Sequence, residues 1–242
     1  MYGWRGRIGL IVPSSNTVCE EEFMQMIPEG VSLHTARVFN PVVKTEEEKE
    51  RAILAMNAEI DRAARELGSA EPDVIVFACT SGSFIEGPGY DLEVGEKIKR
   101  ITGIPGVSTS TAVTEALKAF HLQRIVLASP YNVRVGEKEK IFFETVIPGL
   151  QILRERHLGI LDALEKGLLP PFHAYRTARE IDGPEAEGIF ISCTNFRTIE
   201  IIERLEADTG KPVVTSNQAS LWRALKQIGA PGPKGYGQLF MK

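Results

Sequence analysis

The chain has 242 residues, enough for one large domain or two small ones. Hydrophobic residues make up 43% and charged residues 25%, and these ordinary proportions exclude disordered, collagen-like and fibrous classes. The 28 basic and 32 acidic residues give a formal net charge of −4, which indicates no basic surface for nucleic acid or for an anionic membrane.

The sequence has no apolar run that approaches the roughly 18 residues of a membrane span. The apolar run near the N-terminus stops at Pro13, which is too early for a signal peptide, so we predict a cytoplasmic protein. The three cysteines, Cys19, Cys79 and Cys193, form no Cys-x-x-Cys pair. We therefore expect reduced thiols, without a disulfide or a structural zinc ion. No glycine-rich loop joins a strand to a helix, and we expect no nucleotide cofactor.

Strands and helices are predicted to alternate along the whole chain. Apolar, β-branched runs that end at turn residues predict strands, and apolar residues three or four positions apart predict helices. The first half gives strand 6–12, helix 17–27, strand 31–39, helix 46–67, strand 74–79, helix 91–101, strand 104–107 and helix 111–120. The second half gives strand 124–128, helix 135–146, strand 150–156, helix 171–181, strand 188–193, helix 198–208, strand 213–214 and helix 218–228. This alternation predicts an α/β protein with parallel sheets.

The second half of the chain repeats short motifs of the first half in the same order. The matched positions lie 108 to 117 residues apart and include Pro13 with Pro130, Cys79 with Cys193, and Leu117 with Leu225. An internal duplication explains this nearly constant offset. It predicts two pseudo-symmetric lobes, each a parallel sheet flanked by helices, with the site in the cleft between them.

Two cysteines occupy matching positions in the duplicated halves. Cys79 and Cys193 each end a buried strand, and each is followed by threonine. Ligands of parallel sheets bind at the carboxyl ends of the strands, so the duplication places both thiols on one pocket. A helix N-terminus can lower the pKa of such a thiol and make it a base or a nucleophile. The alternative is that both are buried structural cysteines, which is our interpretation of Cys19.

Polar residues near the same strand ends are candidates for substrate binding. With neighbouring backbone N–H groups, four of them can hold a carboxylate or enolate oxygen: Thr80, Ser81, Thr194 and Asn195. Two more follow equivalent strands, namely Asn16 and Tyr131. Asn16 either binds a substrate carboxylate or only caps the next helix. Tyr131 either donates its hydroxyl group to an oxyanion or only packs. A distant histidine reaching Cys79 would give a Cys–His hydrolase, which nothing in the sequence supports.

Four segments together resemble the maleate cis-trans isomerase branch of the aspartate/glutamate racemase superfamily, which also contains arylmalonate decarboxylases. The segments are Pro13-Ser14-Ser15-Asn16, Cys79-Thr80-Ser81, Pro130-Tyr131 and Cys193-Thr194-Asn195. The resemblance spans essentially the whole chain. It implies that residues 1–112 form a first lobe, completed by the C-terminal helix within 217–242, and that residues 113–216 form a second lobe. It also implies that no metal or other cofactor is used.

The resemblance further implies a role for each site residue. Cys79 would add to the double bond of maleate, the resulting single bond would rotate, and Cys193 would donate and accept the proton. Asn16 and Tyr131 would bind the carboxylates, helped by backbone N–H groups after each cysteine. We therefore expect a cofactor-independent isomerase of maleate or a related small unsaturated dicarboxylate. We further expect a homo-oligomer, either a dimer or a tetramer.

One position departs from the pattern of the maleate isomerases. Those enzymes have a further carboxylate-binding asparagine where this chain has Ala163, at the end of the segment 158–163. Losing one hydrogen bond to a charged group weakens binding by roughly 1.5–3 kcal/mol. A dicarboxylate with a different second arm is therefore a candidate substrate.

Three other functions stay open at this point. An arylmalonate-type decarboxylase needs only one catalytic cysteine, in the second lobe, with glycine in the first, so the paired cysteines argue against it. A racemase with two thiol bases fits the cysteines, but the contexts of Asn16 and Tyr131 favour the isomerase. A two-lobed binding protein without turnover would have unreactive thiols.

Overall fold

Two parallel four-stranded sheets form the frame of the protein in the computed structural model, which describes residues 2–242. The first sheet has the order β2-β1-β3-β4 and contains β1 (Gly6–Pro13), β2 (Val31–Val38), β3 (Val74–Phe77) and β4 (Gly106–Ser108). The second has the order β6-β5-β7-β8 and contains β5 (Arg124–Ser129), β6 (Gln151–His157), β7 (Gly188–Ile191) and β8 (Val213–Thr215). The two orders are the same, which agrees with an internal duplication and confirms the predicted fold class.

Helices flank both sheets. The first half carries α1 (Cys19–Met26), α2 (Glu46–Ala58), α3 (Ile60–Gly68), α4 (Thr80–Phe84), α5 (Tyr90–Thr102) and α6 (Thr109–Ala119). The second half carries α7 (Val133–Val146), α8 (Ala163–Leu168), α9 (Phe172–Ile181), α10 (Ile202–Thr209) and α11 (Ser216–Ile228), followed by a 3-10 turn over Gln238–Met241. In residues 2–242 no helix combines the length and the apolar character needed to cross a bilayer.

The central strands explain why each lobe folds around its sheet. All four residues of β3 and all four residues of β7 are buried, because helices cover both faces of a parallel sheet. Burying one such valine, isoleucine or phenylalanine side chain stabilises the fold by about 1.5–3 kcal/mol. In the second lobe, the Phe143 ring meets those of Phe142 and Phe190 edge to face, with centroids 5.1 and 5.2 Å apart.

The predicted helix 46–67 is in fact two helices, α2 and α3, which meet at Glu59. A capping box between Thr45 and Glu48 starts α2. At Glu59 the backbone N–H donates to the Met56 carbonyl in a tight turn, and the regular ladder of hydrogen bonds is interrupted. The apolar stripe continues across this break, so hydrophobic spacing alone does not reveal it.

Two helices next to the cleft, α4 and α8, have only five and six residues and are absent from the predicted elements, because such short segments have no measurable period. The predicted helix 198–208 starts only at Ile202. The N–H groups of Thr198 and Ile199 donate to the buried carboxylate of Glu22 in α1, so these residues stay outside the helix.

The C-terminal helix α11 packs against α6, β3 and α1 on the side of the first sheet. Its first residue is Ser216, one position before the predicted segment 217–242. The predicted boundary at residue 112 lies inside α6. The division of the chain at residues 112 and 216 stays a prediction.

Candidate active site

Cys79 lies at the carboxyl end of the first sheet, between β3 and α4. It is the N-cap of α4, and its Sγ accepts the Gly82 N–H at 3.3 Å and lies 3.8 Å from the Ser81 hydroxyl. A Cβ atom at residue 82 would stand 3.0 Å from this sulfur and 2.9 Å from the Phe77 ring. Glycine is therefore needed where the backbone N–H approaches the thiol.

Cys193 occupies the matching place after β7, but its backbone differs. Its φ of +100° is a left-handed value that favours glycine. Its N–H donates to Ser216 Oγ at 3.0 Å, and the same oxygen accepts the Thr80 hydroxyl at 2.9 Å, so Ser216 joins the two cysteine loops. The Asn195 backbone and the Tyr131 hydroxyl lie near the Cys193 sulfur and act to lower its pKa.

Burial raises the pKa of both thiols above the usual value. For Cys79, the Gly82 N–H, the Ser81 hydroxyl and the charge of Lys49 act in the opposite direction, but burial is the larger effect. For Cys193, burial also outweighs the nearby charge of Lys166. The net pKa shift is thus opposite to the lowering that a helix N-terminus favours. Ionised Cys193 also raises the pKa of Cys79, so two thiolates at once are disfavoured.

All eight residues singled out in the sequence line one cavity of about 40 Å³. They are Asn16, Cys79, Thr80, Ser81, Tyr131, Cys193, Thr194 and Asn195. The two thiols thus face the same small space, as the duplication predicts. Their chemical roles, and those of the six polar residues, stay predictions.

Asn16 caps a helix and also contacts the second half of the chain. Its Oδ1 accepts the N–H groups of Val18 and Cys19, so it does cap α1. Its Nδ2 donates to the Thr194 hydroxyl at 3.1 Å and so connects the two lobes next to the cavity. One proton of the amide remains for another acceptor, because an amide nitrogen carries two donors.

The side chains after Cys193 are largely used by the protein itself. The Thr194 hydroxyl donates to the Ala78 carbonyl at 3.1 Å. Asn195 accepts the Thr17 N–H and donates to the Ala163 carbonyl at 2.5 Å, which holds the start of α8 against the loop after β1. These bonds favour a positioning role for both side chains and leave direct substrate binding by them a prediction.

Tyr131 is 3% exposed, and the structure shows the packing considered for it, whereas donation to an oxyanion stays a prediction. Its ring packs edge to face on Phe84, with centroids 6.4 Å apart. Its hydroxyl lies near Thr80 and Cys193, and each of these contacts affects a pKa. Burial raises its pKa well above the usual value, so the hydroxyl keeps its proton and can donate it.

Two lysines that the sequence analysis did not single out also line the cavity. Lys49 on α2 and Lys166 on α8 are 6% and 4% exposed. Burial lowers the pKa of both ammonium groups, that of Lys166 to about 8. The signal in the sequence was weak but present: Lys49 shares the helical stripe of Ile53 and Met56, where an apolar residue is expected.

Ala163 lines the cavity at the first residue of α8, whose N-cap is Asp162. Its methyl group has no hydrogen-bonding capacity, as expected from the sequence. In residues 2–242 no group of three or more histidine, cysteine, aspartate or glutamate side chains is placed to hold a metal ion. The expectation that no cofactor is used stays a prediction.

Known proteins resemble this chain over most of its length. A family model described as arylmalonate decarboxylase matches residues 8–240. A maleate isomerase from Pseudomonas putida is 30% identical over 235 residues, covering 92% of this chain and 91% of that protein. An arylmalonate decarboxylase from Bordetella bronchiseptica is 30% identical over 184 residues, covering 73% and 75%.

A solved structure agrees with these sequence matches. It is a maleate cis-trans isomerase from Nocardia farcinica, 28% identical, with a TM-score of 0.90 and coverage of 97% of this chain and 98% of that chain. That protein is a cysteine-to-serine variant with a covalently bound succinylcysteine intermediate. The comparisons confirm the resemblance drawn from the motifs: the chain belongs to the arylmalonate decarboxylase family, in the branch that also contains the maleate isomerases.

Proposed function

We propose that this protein is a cofactor-independent cis-trans isomerase of maleate or a related small unsaturated dicarboxylate. The observation that carries the proposal is the pair of buried thiols, Cys79 and Cys193, that line one small cavity from matching loops. The succinylcysteine of the related isomerase supports addition of a cysteine to the substrate. We assign that addition to Cys79, whose sulfur accepts a backbone N–H at a helix start.

The reaction balances with one thiolate and one thiol. The Cys79 thiolate forms a bond to one carbon of the double bond, and the π electron pair moves to the other carbon, which takes the proton of Cys193. Rotation about the new single bond places the carboxylates trans. The Cys193 thiolate then takes a proton back, the double bond re-forms, and the bond between sulfur and carbon breaks.

The electrostatics of the site favour this division of protons between the two sulfurs. Ionised Cys193 raises the pKa of Cys79, so the state with one thiolate is preferred over the state with two. Tyr131 and the backbone of Asn195 both act to lower the pKa of Cys193, so they stabilise its thiolate after it has given up its proton. Thr80, Ser81 and Asn16 line the cavity and are proposed to bind the carboxylates.

Proton NMR of the protein with maleate in deuterated water tests the proposal. Fumarate is expected to appear, Cys79→Ser should abolish its formation because a serine hydroxyl is a weak nucleophile, and Cys193→Ser should slow it roughly 10²–10⁴-fold. Cys19→Ala is the matched control, since Cys19 is buried in α1 away from the cavity lining, and it should stay active.

The same experiment separates the alternatives. Loss of carbon dioxide from an arylmalonate would indicate a decarboxylase, and deuterium at Cα of aspartate would indicate a racemase with two thiol bases. No turnover of any of these compounds would favour a binding protein and contradict the proposal.

We also propose a cytoplasmic location and a homo-oligomeric state, as expected from the sequence. Reduced cysteines are the form that this chemistry needs, and the cytoplasm keeps thiols reduced. Analytical ultracentrifugation tests the oligomeric state, and a monomer at micromolar concentration would contradict it.

A further inference from the structure

Two buried positive charges face the cavity without a carboxylate partner from the protein. Lys49 comes from α2 of the first half, and Lys166 comes from α8 of the second half. Among residues 2–242, neither ammonium group has a carboxylate oxygen within 4.0 Å. The ionised forms of Cys79 and Cys193 and the carboxylate of Asp162 raise the pKa of both lysines. The two thiols together supply no more than one negative charge in the proposed reaction, and the Asp162 Oδ1 accepts the Leu164 N–H at 2.7 Å as the cap of α8.

Such an arrangement is costly for the protein alone. Moving an ammonium group out of water costs several kcal/mol unless an opposite charge or good hydrogen bonds replace the water. Here the cost is increased because the two lysines lie close enough together for the charge of Lys49 to lower the pKa of Lys166. Lysine is almost never fully buried unless it is paired, so two unpaired lysines on one cavity indicate an anionic ligand.

Lys166 lies on the same short helix as Ala163, the position at which the asparagine of the maleate isomerases is absent. Ala163 and Lys166 are three positions apart on α8, which places them on one face of the helix, and both line the cavity. The Lys166 Nζ lies 4.9 Å from the centre of the Tyr131 ring, over its face. This cation–π contact stabilises the ammonium group beside the cavity but supplies no negative charge.

We propose that Lys49 and Lys166 bind the second carboxylate of the substrate and make the site specific for dianionic dicarboxylates. The inference rests on the proposed function, because the reacting carbons must lie at Cys79 and Cys193. Asn16, Thr80 and Ser81, which are neutral, remain for the first carboxylate. The two ammonium groups of Lys49 and Lys166, called the charge pair below, thus replace the side-chain amide that is absent at Ala163.

Specificity follows from the cost of leaving the lysines unpaired. A ligand whose second arm ends in an amide, an ester or an aryl group removes water from the ammonium groups and supplies no charge in return. Binding of such a ligand costs the desolvation of both ammonium groups without any compensating attraction, so the site discriminates against it. We therefore expect the site to reject arylmalonates and monoamides and to prefer short dicarboxylates with both groups ionised.

Calorimetric binding of succinate and of its monoamide, succinamate, tests the pair without requiring turnover. Wild-type protein is expected to bind succinate roughly 10- to 100-fold more tightly than succinamate, the factor for one hydrogen bond to a charged group. Lys49→Met and Lys166→Met should each remove most of this difference, because they weaken the binding of succinate while the affinity for succinamate changes little. Lys166→Arg keeps the charge and should retain part of the preference. Lys99→Met, on the exposed side of α5, is the matched control and should bind as wild type.

Two further readouts make the result decisive. Methionine has nearly the shape of lysine without its charge, so the variants should be at least as resistant to heat as the wild type before ligand is added. A lower melting temperature together with equal weakening of both ligands would show a structural role and overturn the proposal. Equal succinate affinity in wild type and both methionine variants would also overturn it.

The outcomes for the two proposals can be told apart. If maleate is not isomerised but succinate binding depends on the two lysines, the proposed reaction fails and the charge pair stands. If maleate is isomerised at the wild-type rate by Lys166→Met, with unchanged KM, the reaction stands and the charge pair fails.

Discussion

Cys193 has a backbone conformation that its side chain does not favour. Its φ of +100° is stabilised by the hydrogen bond from its N–H to Ser216 Oγ. For an L residue a left-handed backbone costs roughly 1–2 kcal/mol, and strain of this kind clusters at functional sites. The same thiol at the matching position of the first lobe, Cys79, has a relaxed extended backbone with φ of −145°.

The strain at Cys193 predicts an unusual order of stability for two variants. Cys193→Gly should unfold at a urea concentration at least as high as Cys193→Ala, although glycine normally costs about 0.5–1 kcal/mol relative to alanine. The reason is that glycine accepts a positive φ without a Cβ clash. Urea denaturation followed by circular dichroism measures the order, and an alanine variant that is more stable by the normal glycine penalty would contradict strain at this residue.

At the residue scale, the sequence predicts that Cys79 and Cys193 share a pocket, and the structure places both on one cavity. The prediction was possible because both cysteines end a duplicated strand and precede threonine, and the polar residues beside them belong to the same loops. The chemical roles of these residues stay predictions. Lys49 and Lys166 were missed because lysine is normally exposed and its charge carries no period. Only the structure shows that α8, a six-residue helix, turns Lys166 into the cavity.

At the scale of elements, Glu22 joins α1 to the second half of the chain. Its carboxylate accepts the N–H groups of Thr198 and Ile199 and the amide of Asn217 at the start of α11, at 2.6, 3.2 and 2.6 Å. These contacts replace the first turn that the sequence predicts for α10. They connect residues 176 to 195 positions apart, so no local pattern predicts them.

Removing the Glu22 carboxylate should destabilise the protein strongly. Glu22→Ala leaves three buried donors without an acceptor, at about 1–3 kcal/mol for each unsatisfied group, and we expect a loss of at least about 2 kcal/mol in the free energy of unfolding. Urea denaturation at neutral pH measures it. Glu21→Ala, one position earlier and exposed, is the control and should stay within about 0.5 kcal/mol of wild type. Equal stability of the two variants would show that these donors find other partners.

At the scale of the whole molecule, the two halves share the strand order of their sheets but differ in the loops that carry the two cysteines. Both sheets have the same strand order, and the periodic strands and helices predicted this much. After the central strand, however, the first lobe continues into α4, whereas the second turns through a positive φ and reaches α10 only at Ile202. The two thiols therefore have different surroundings, in keeping with the different roles proposed for them.

The charge pair also links the two lobes, since Lys49 comes from the first and Lys166 from the second. A dianion that contacts both should stabilise the folded protein as a unit, by about 2.7 kcal/mol at a ligand concentration of one hundred times Kd. This increase in stability requires the ammonium form of Lys166, and burial lowers the pKa of Lys166 to about 8. The gain should therefore be complete well below pH 8 and decrease as the pH rises through 8.

The rise in melting temperature caused by succinate, measured from pH 6.5 to 9.5, checks this dependence. Other groups that face Lys166 also titrate or carry charge, namely Lys49, Cys79, Cys193 and Asp162. Burial raises the pKa of both thiols above the usual value, so they ionise at higher pH than Lys166. Lys166→Met lacks the titrating group and should show a small rise in melting temperature that does not change between pH 7 and 8.5. Lys166→Arg stays charged and should keep its rise over that interval, and a wild-type rise that is constant through pH 8 would contradict a role for the ammonium group in holding the dianion.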